Sequence, residues 1–205
     1  MIKADWPKIT KMTSSLSLIW STSFTSINWL VIDSTLSMVP HINNVCKSSF
    51  YHLRNISRIR KYISFKTTET LVHAFISSKL DHCNSLLFGL PKNLIDKLQA
   101  VQNAAARLIT LTRKHDHISP ILKDLHWLPV ADRIKFKILM LTFKALNGLV
   151  YIQELISKYQ PPRSLCSSSH SLLASKSYHL KSYGLRSFSV AAPELWNSLP
   201  LSIRT

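Results

Sequence analysis

Asp81-His82-Cys83 and His115-Asp116-His117 are the densest groupings of side chains that could bind a metal or move a proton. Alternating histidines hold zinc only when further ligands converge on the ion. Neither grouping has the paired spacing of a zinc finger nearby. Both read as polar loop and helix-end residues, and no metal is expected. Cys83 as a nucleophile, with His126 or His117 as its base, would need a thiolate. A buried thiol acting as a small apolar group is the commoner role. The ten acids, from Asp5 to Glu194, are never adjacent. Two-metal nucleotidyl transfer needs clustered carboxylates around ions about 4 Å apart, and no local motif supplies them. Three glycines cannot spell G-x-x-x-x-G-K-[ST] or G-x-G-x-x-G. No catalytic residue, cofactor or small-molecule substrate is expected.

Charge says more. The 205 residues carry 26 Lys+Arg against 10 Asp+Glu, a formal net charge of +16. Half of that excess falls within residues 51–115. Such a concentrated field suits a polyanion: nucleic acid, an anionic membrane or an acidic protein. Three cysteines without a C-x-x-C exclude a disulfide framework and an all-cysteine zinc site. No apolar run nears the ~18 residues of a membrane span. The start is a poor signal peptide, so a reducing intracellular setting is the default.

The cations need helices to place them. Phe50, Leu53, Ile56, Ile59 and Ile63 recur at spacings of three and four, which predicts a helix over about 41–63 with these as its apolar face. Arg54, Arg58 and Lys61 follow the same spacing on another face. A second helix, about 67–80, takes Thr67 as cap and buries Leu71, Phe75 and Ile76. A third begins at Pro91, with Leu94, Leu98, Val101, Ala105 and Leu108 as core and Lys92, Lys97 and Arg107 off it. A short helix within 117–130 follows. Pro129 then opens a helix to Leu146, where Ile134, Ile138, Leu141 and Ala145 form one stripe and Arg133, Lys137 and Lys144 another. Asn147-Gly148 stops it. A shorter helix runs from Val150 to Lys158. Trp127 and Trp196 read as turn-locking core side chains. A short strand is expected over 27–33 and a hairpin near 178–189.

Several segments, in order, carry a resemblance: LRNISRIRKYIS (53–64), LVHAFISSKLDHCNSLLFGLP (71–91), KLQAVQNAAARLI (97–109), HISPILKDLHWLPVADRIKFKILMLTFKAL (117–146) and YGLRSFSVAAPELWNSLPLSIR (183–204). Together they resemble the C-terminal region of LINE-type (non-LTR) retrotransposon reverse transcriptases, downstream of the palm, over roughly 27–204. The combination of LHWLPV, QNAAARL and AAPELWNSLP carries the specificity. The resemblance implies a thumb-like helical region that holds template RNA and primer DNA while another domain does the chemistry. The family's Tyr/Phe-x-Asp-Asp type motif has no match in this chain, and its endonuclease domain is absent, so no catalytic residue carries over. Departures include Leu165-Cys166-Ser167 for a usual Leu-Arg-Ser, and Leu185 where an acid is usual. The pattern fits a truncated or decayed element copy. Residues 40–65 also look like a short N-terminal segment of some AlkB-type tRNA-modifying enzymes. The chain has no matching H-x-D…H iron site and no glycine-rich methyl-donor loop, so that label carries no enzymatic inference.

The expected architecture is mainly α: an irregular bundle of five to six helices with a short N-terminal strand and a small C-terminal hairpin/helix element. Residues 1–26 form a divergent leader, 27–160 the helical thumb-like region, 161–182 a Ser-rich linker and 183–205 an apolar closing element. The expected activity is sequence-independent binding to RNA or DNA backbones through Arg54, Arg58, Lys61, Lys92, Lys97, Arg107, Arg133, Lys137 and Lys144. About six phosphate contacts would give a log–log salt slope of roughly −4 to −5. A helical protein-interaction module with no nucleic-acid role is the rival. Separation from a palm domain predicts marginal stability or aggregation.

Overall fold

A computed structural model describes residues 30–148, 150–160, 163, 171–178, 180 and 183–204. Helix α1 (Val39–Ile59) starts with proline in its first turn, where a missing N–H costs no hydrogen bond. A 3-10 turn, Arg60–Tyr62, closes it. Helix α2 (Phe65–Val72) is capped by Ser64, whose Oγ accepts from the Thr67 amide at 3.1 Å. The expected cap at Thr67 is therefore three residues late. Thr67 instead supplies the bonded amide, and its hydroxyl meets Ser64 at 2.9 Å. A π turn (His73–Ser77) links α2 to α3 (Ser78–Asp81), so the expected second helix is one rod with a widened middle.

Helix α4 (Lys92–Thr110) begins after Pro91 and ends at Leu111 in the left-handed conformation. Helix α5 (Ile118–Asp124) is short. Helix α6 (Val130–Leu146) starts after Pro129, as its sequence requires. Helix α7 (Val150–Gln153) is one turn, shorter than the expected 150–158. The chain then leaves the helix and pairs Lys158 with Leu173 in a single antiparallel bridge. Helices α8 (Phe188–Asn197) and α9 (Leu201–Arg204) close the described chain. Six of these helices have seven residues or more, matching an irregular bundle of five to six helices.

Helix α4 is the axle, packing against α1, α2, α5 and α6. Its Leu98, Val101, Ala105, Ala106 and Ile109 are no more than 1% exposed. The two adjacent alanines keep side-chain bulk low where neighbours press on both sides. Helices α1 and α4 run in the same direction. Lys97 donates to Asn43 near their starts, and Arg60 donates to the Leu108 and Ile109 carbonyls near their ends, at 3.2 and 3.0 Å. Arg60 thereby satisfies carbonyls that the end of α4 leaves open.

Three segments that carry the sequence resemblance bear on the bundle's joints. Gln102 is buried and donates to the Leu128 carbonyl at 2.8 Å, while Gln99 accepts the Val130 amide at 2.9 Å. These two bonds fasten the turn before α6 to α4. Asn197 holds both backbone groups of Leu173, and Trp196 donates to the Ser171 carbonyl. Leu173 is 2% exposed, so part of the Ser-rich stretch is docked rather than a free linker.

No strand forms among the described residues. The expected strand over 27–33 lies partly outside them. Leu30–Asp33 is irregular, and the chain turns just after it, at Ser34–Thr35, where Asp33 accepts the Ser37 and Met38 amides, each at 3.0 Å, and the Thr35 hydroxyl. Those hydroxyl and amide donors hold its carboxyl well below the usual range. Val31 and Ile32 are exposed, with no sheet to join. The expected hairpin near 178–189 is replaced, in its described part, by a turn at 183–186 and the start of α8. Residues 1–26 and the centre of 161–182 lie outside the described residues.

Candidate nucleic-acid interface

The buried stripe of α1 is Ile42, Val45, Ser49, Leu53 and Ile56. Ser49, not Phe50, faces the bundle. Phe50 is left 43% exposed and Ile59 45% exposed, contrary to their expected place in the core. The small serine lets α1 approach its neighbours, and the phenyl ring moves to the rim beside α4. There α4 presents Ala104, a side chain too small to fill the space. The result is an open groove of about 450 Å³.

Helix α1 lines the groove with Phe50, Leu53, Arg54 and Ser57. Helix α4 lines it with Ala104, Arg107 and Leu108. The floor is apolar and each wall carries one guanidinium. Arg107 makes one long hydrogen bond, 3.3 Å, to the Asp116 carbonyl, and its Nε has no partner. Arg54, Arg58 and Lys61 are exposed, with no side-chain hydrogen bond or ion pair among the described residues. The sequence contains no carboxylate between Asp33 and Glu69, so no acid on α1 or its closing turn can pair with them.

The other expected cations have different surroundings. Lys92 is exposed at the start of α4, fifteen residues from Arg107, hence about 22 Å away along the axis. Lys97 reaches Asn43 at 3.3 Å. Lys144 is exposed on α6. Lys137 is half-buried, close enough to Cys83 to act on its thiol. Arg133 is turned inward. Its Nη1 donates to both Asp81 carboxylate oxygens, at 3.2 and 3.0 Å, and its Nε donates to the Leu128 carbonyl at 3.0 Å. Its guanidinium also lies 5.8 Å from the Trp127 ring centre. Arg133 is therefore a joint between α3, the turn before α6 and α6 itself. The nine residues do not share one groove: Arg54 and Arg107 line it, and no α6 cation does.

Besides Arg60, two exposed cations of the loop after α4, Arg113 and Lys114, escaped the sequence reading. The loop is tied by Asp116, which accepts the Arg113 amide at 3.1 Å and offers its carbonyl to Arg107. Their signal was present in the charge of residues 51–115, but loop cations have no helical spacing to reveal a face.

No group of three or more His, Cys, Asp or Glu side chains among the described residues could hold a metal. Burial pushes the Cys83 thiol up, with Lys137 opposing, so the thiolate a nucleophile needs is disfavoured. Trp127 and Trp196 are 6% and 5% exposed and belong to the core. Among the described residues no helix is long and apolar enough to cross a membrane. No family model, curated protein or solved structure matches the chain.

Proposed function

We propose that this chain is a non-catalytic remnant of a LINE-type retrotransposon RNA-directed DNA polymerase, and that it retains sequence-independent binding to RNA or DNA backbones. The order of the resembling segments supports the origin. One observation carries the binding: a carboxylate-free helix and the turn that closes it present Arg54, Arg58 and Lys61 unpaired, and Arg107 stands across an open groove from Arg54. The solvated guanidinium groups of Arg54 and Arg58, with no internal partner, suit phosphate oxygens, which accept paired N–H donors, and Arg107 is held by a single long hydrogen bond. A palm domain would be the natural neighbour of the corner after α1, where Ile59, Tyr62 and Phe65 are 45, 86 and 49% exposed.

The test is a fluorescence-anisotropy titration of the full chain with a labelled RNA–DNA hybrid from low to moderate salt. Four contacts, from Arg54, Arg58, Lys61 and Arg107, give a slope near −3 to −4. A flat response removes the reading. One observation favours the rival protein-interaction module. Tyr51, His52 and Phe75 form an aromatic ladder away from the groove, with His52 stacked on Phe75 at 5.0 Å. Competition by heparin, with none by the hybrid, supports that rival.

A further inference from the structure

We propose that the groove between α1 and α4 seats one unpaired base of a single-stranded RNA or DNA segment, stacked on Phe50, with Arg54 and Arg107 on the phosphates flanking it. This rests on the backbone-binding reading and adds a preference that backbone contacts alone do not give.

The room is suitable. The groove volume, about 450 Å³, falls in the ~300–1,000 Å³ range of small-ligand sites. Phe50 is the aromatic surface on its rim, and its exposure leaves a face for stacking. The floor, from Leu53, Ala104 and Leu108, is apolar, and the one neutral polar side chain of the lining, Ser57, has a hydroxyl that donates or accepts as needed and so does not select one base. Stacking is tolerant of base identity, because every base has a π face. The walls supply positive charge on both sides of the ring, so the phosphates before and after the base each find a guanidinium.

A strand, rather than a free nucleotide, fits the charge beyond the groove. Arg58 follows Arg54 by one turn, about 6 Å along the axis, and Lys61 continues past it. On the other side Arg113 and Lys114 extend the cations past Arg107. A duplex cannot use the groove in this way, since its base faces are already stacked on their neighbours.

Three probes decide the matter by anisotropy with the full chain: an oligothymidylate of about twelve nucleotides, an abasic strand of the same backbone length, and a duplex. The base-bearing strand binds roughly tenfold tighter than the abasic strand, the low end of what stacking contributes. Phe50→Ala brings the two to equal affinity and leaves abasic binding unchanged. Phe50→Trp keeps the preference, which separates loss of stacking from misfolding. Equal binding of both strands by the unaltered protein, or a preference that survives Phe50→Ala, overturns the inference while leaving backbone binding in place. Failure of all three probes to bind overturns the backbone reading as well. Phe50-dependent capture of an acidic aromatic peptide, with no such dependence for oligothymidylate, overturns the inference by giving the groove to a protein.

Discussion

Arg54 on α1 and Arg133 on α6 belong to basic stripes of similar spacing, yet they have opposite fates. Arg54 faces water across the groove, while Arg133 is 15% exposed and clamped on Asp81. The difference lies in what the neighbouring helices offer. No carboxylate occurs near Arg54 in sequence, and its groove is floored by apolar side chains. Arg133 meets an acid from α3, the Leu128 carbonyl that it shares with Gln102, and an indole face. Spacing places a cation on a helix face; the partner across the interface decides whether it is a joint or a contact surface.

Charge removal sharpens this contrast most. Replacing Arg54, Arg58 and Arg107 together by alanine should weaken oligonucleotide binding roughly a hundredfold at moderate salt, at about 1 kcal/mol for each charged contact. It should also flatten the salt slope by about two to three units. The melting temperature should change little, because these side chains have few internal bonds. The same titration on the triple variant checks both outcomes.

Arg133→Ala should do the reverse. Salt dependence should persist, while unfolding by urea should show a loss of about 1–2 kcal/mol. The lost bonds are partly buried, but Asp81 keeps 38% of its side chain in water, which moderates the cost. A variant that loses binding and keeps its stability would place Arg133 among the contact residues after all.

The helices themselves were largely legible. Pro91, Pro129 and Asn147-Gly148 bound α4 and α6 within a residue or so because missing N–H groups and a positive-φ glycine act locally. The inward face of α1 was not. The stripes Ser49/Leu53/Ile56 and Phe50/Leu53/Ile56 differ by one position, and hydrophobicity alone selects the phenylalanine. Packing selects the serine, since a small residue permits close approach. The groove exists because of that choice, so it was hidden as well. Arg60 and Arg133 were illegible as joints for a related reason: the carbonyls and carboxylate they bind lie 48 and 52 residues away in sequence. The π turn at His73–Ser77 has no compositional mark.

Gly89 tests the side of the molecule away from the groove. Its φ is +71°, and a Cβ there would stand 2.9 Å from Arg186 Cγ. Arg186 has little freedom to yield, because it donates to the Leu36 and Leu86 carbonyls at 2.6 and 3.0 Å. Gly89→Ala should therefore cost about 1–2 kcal/mol of stability, read from urea unfolding. An unchanged midpoint would mean that this three-segment clasp is not part of the cooperative unit. Oligonucleotide affinity measured well below the melting temperature should stay the same.

The smallest effect is expected at His73. Burial lowers its pKa first; Glu69 and Asp81 oppose that and Arg133 adds to it. Its ring also meets Trp127 edge-on, with centroids 5.5 Å apart. The folded state thus prefers the neutral imidazole. Above the ordinary histidine value, about 6.5, both states are neutral and the contribution is complete. As pH falls below that value the unfolded chain takes up the proton first, and stability declines until the folded pKa is passed. Melting curves at pH 7.5, 6 and 5 should show this decline, and His73→Gln should reduce it. Arg133→Ala should reduce it as well, because losing that guanidinium lets His73 accept its proton more readily. An acid-induced decline equally steep in all three proteins would trace it to other groups and uncouple His73 from the Arg133 joint.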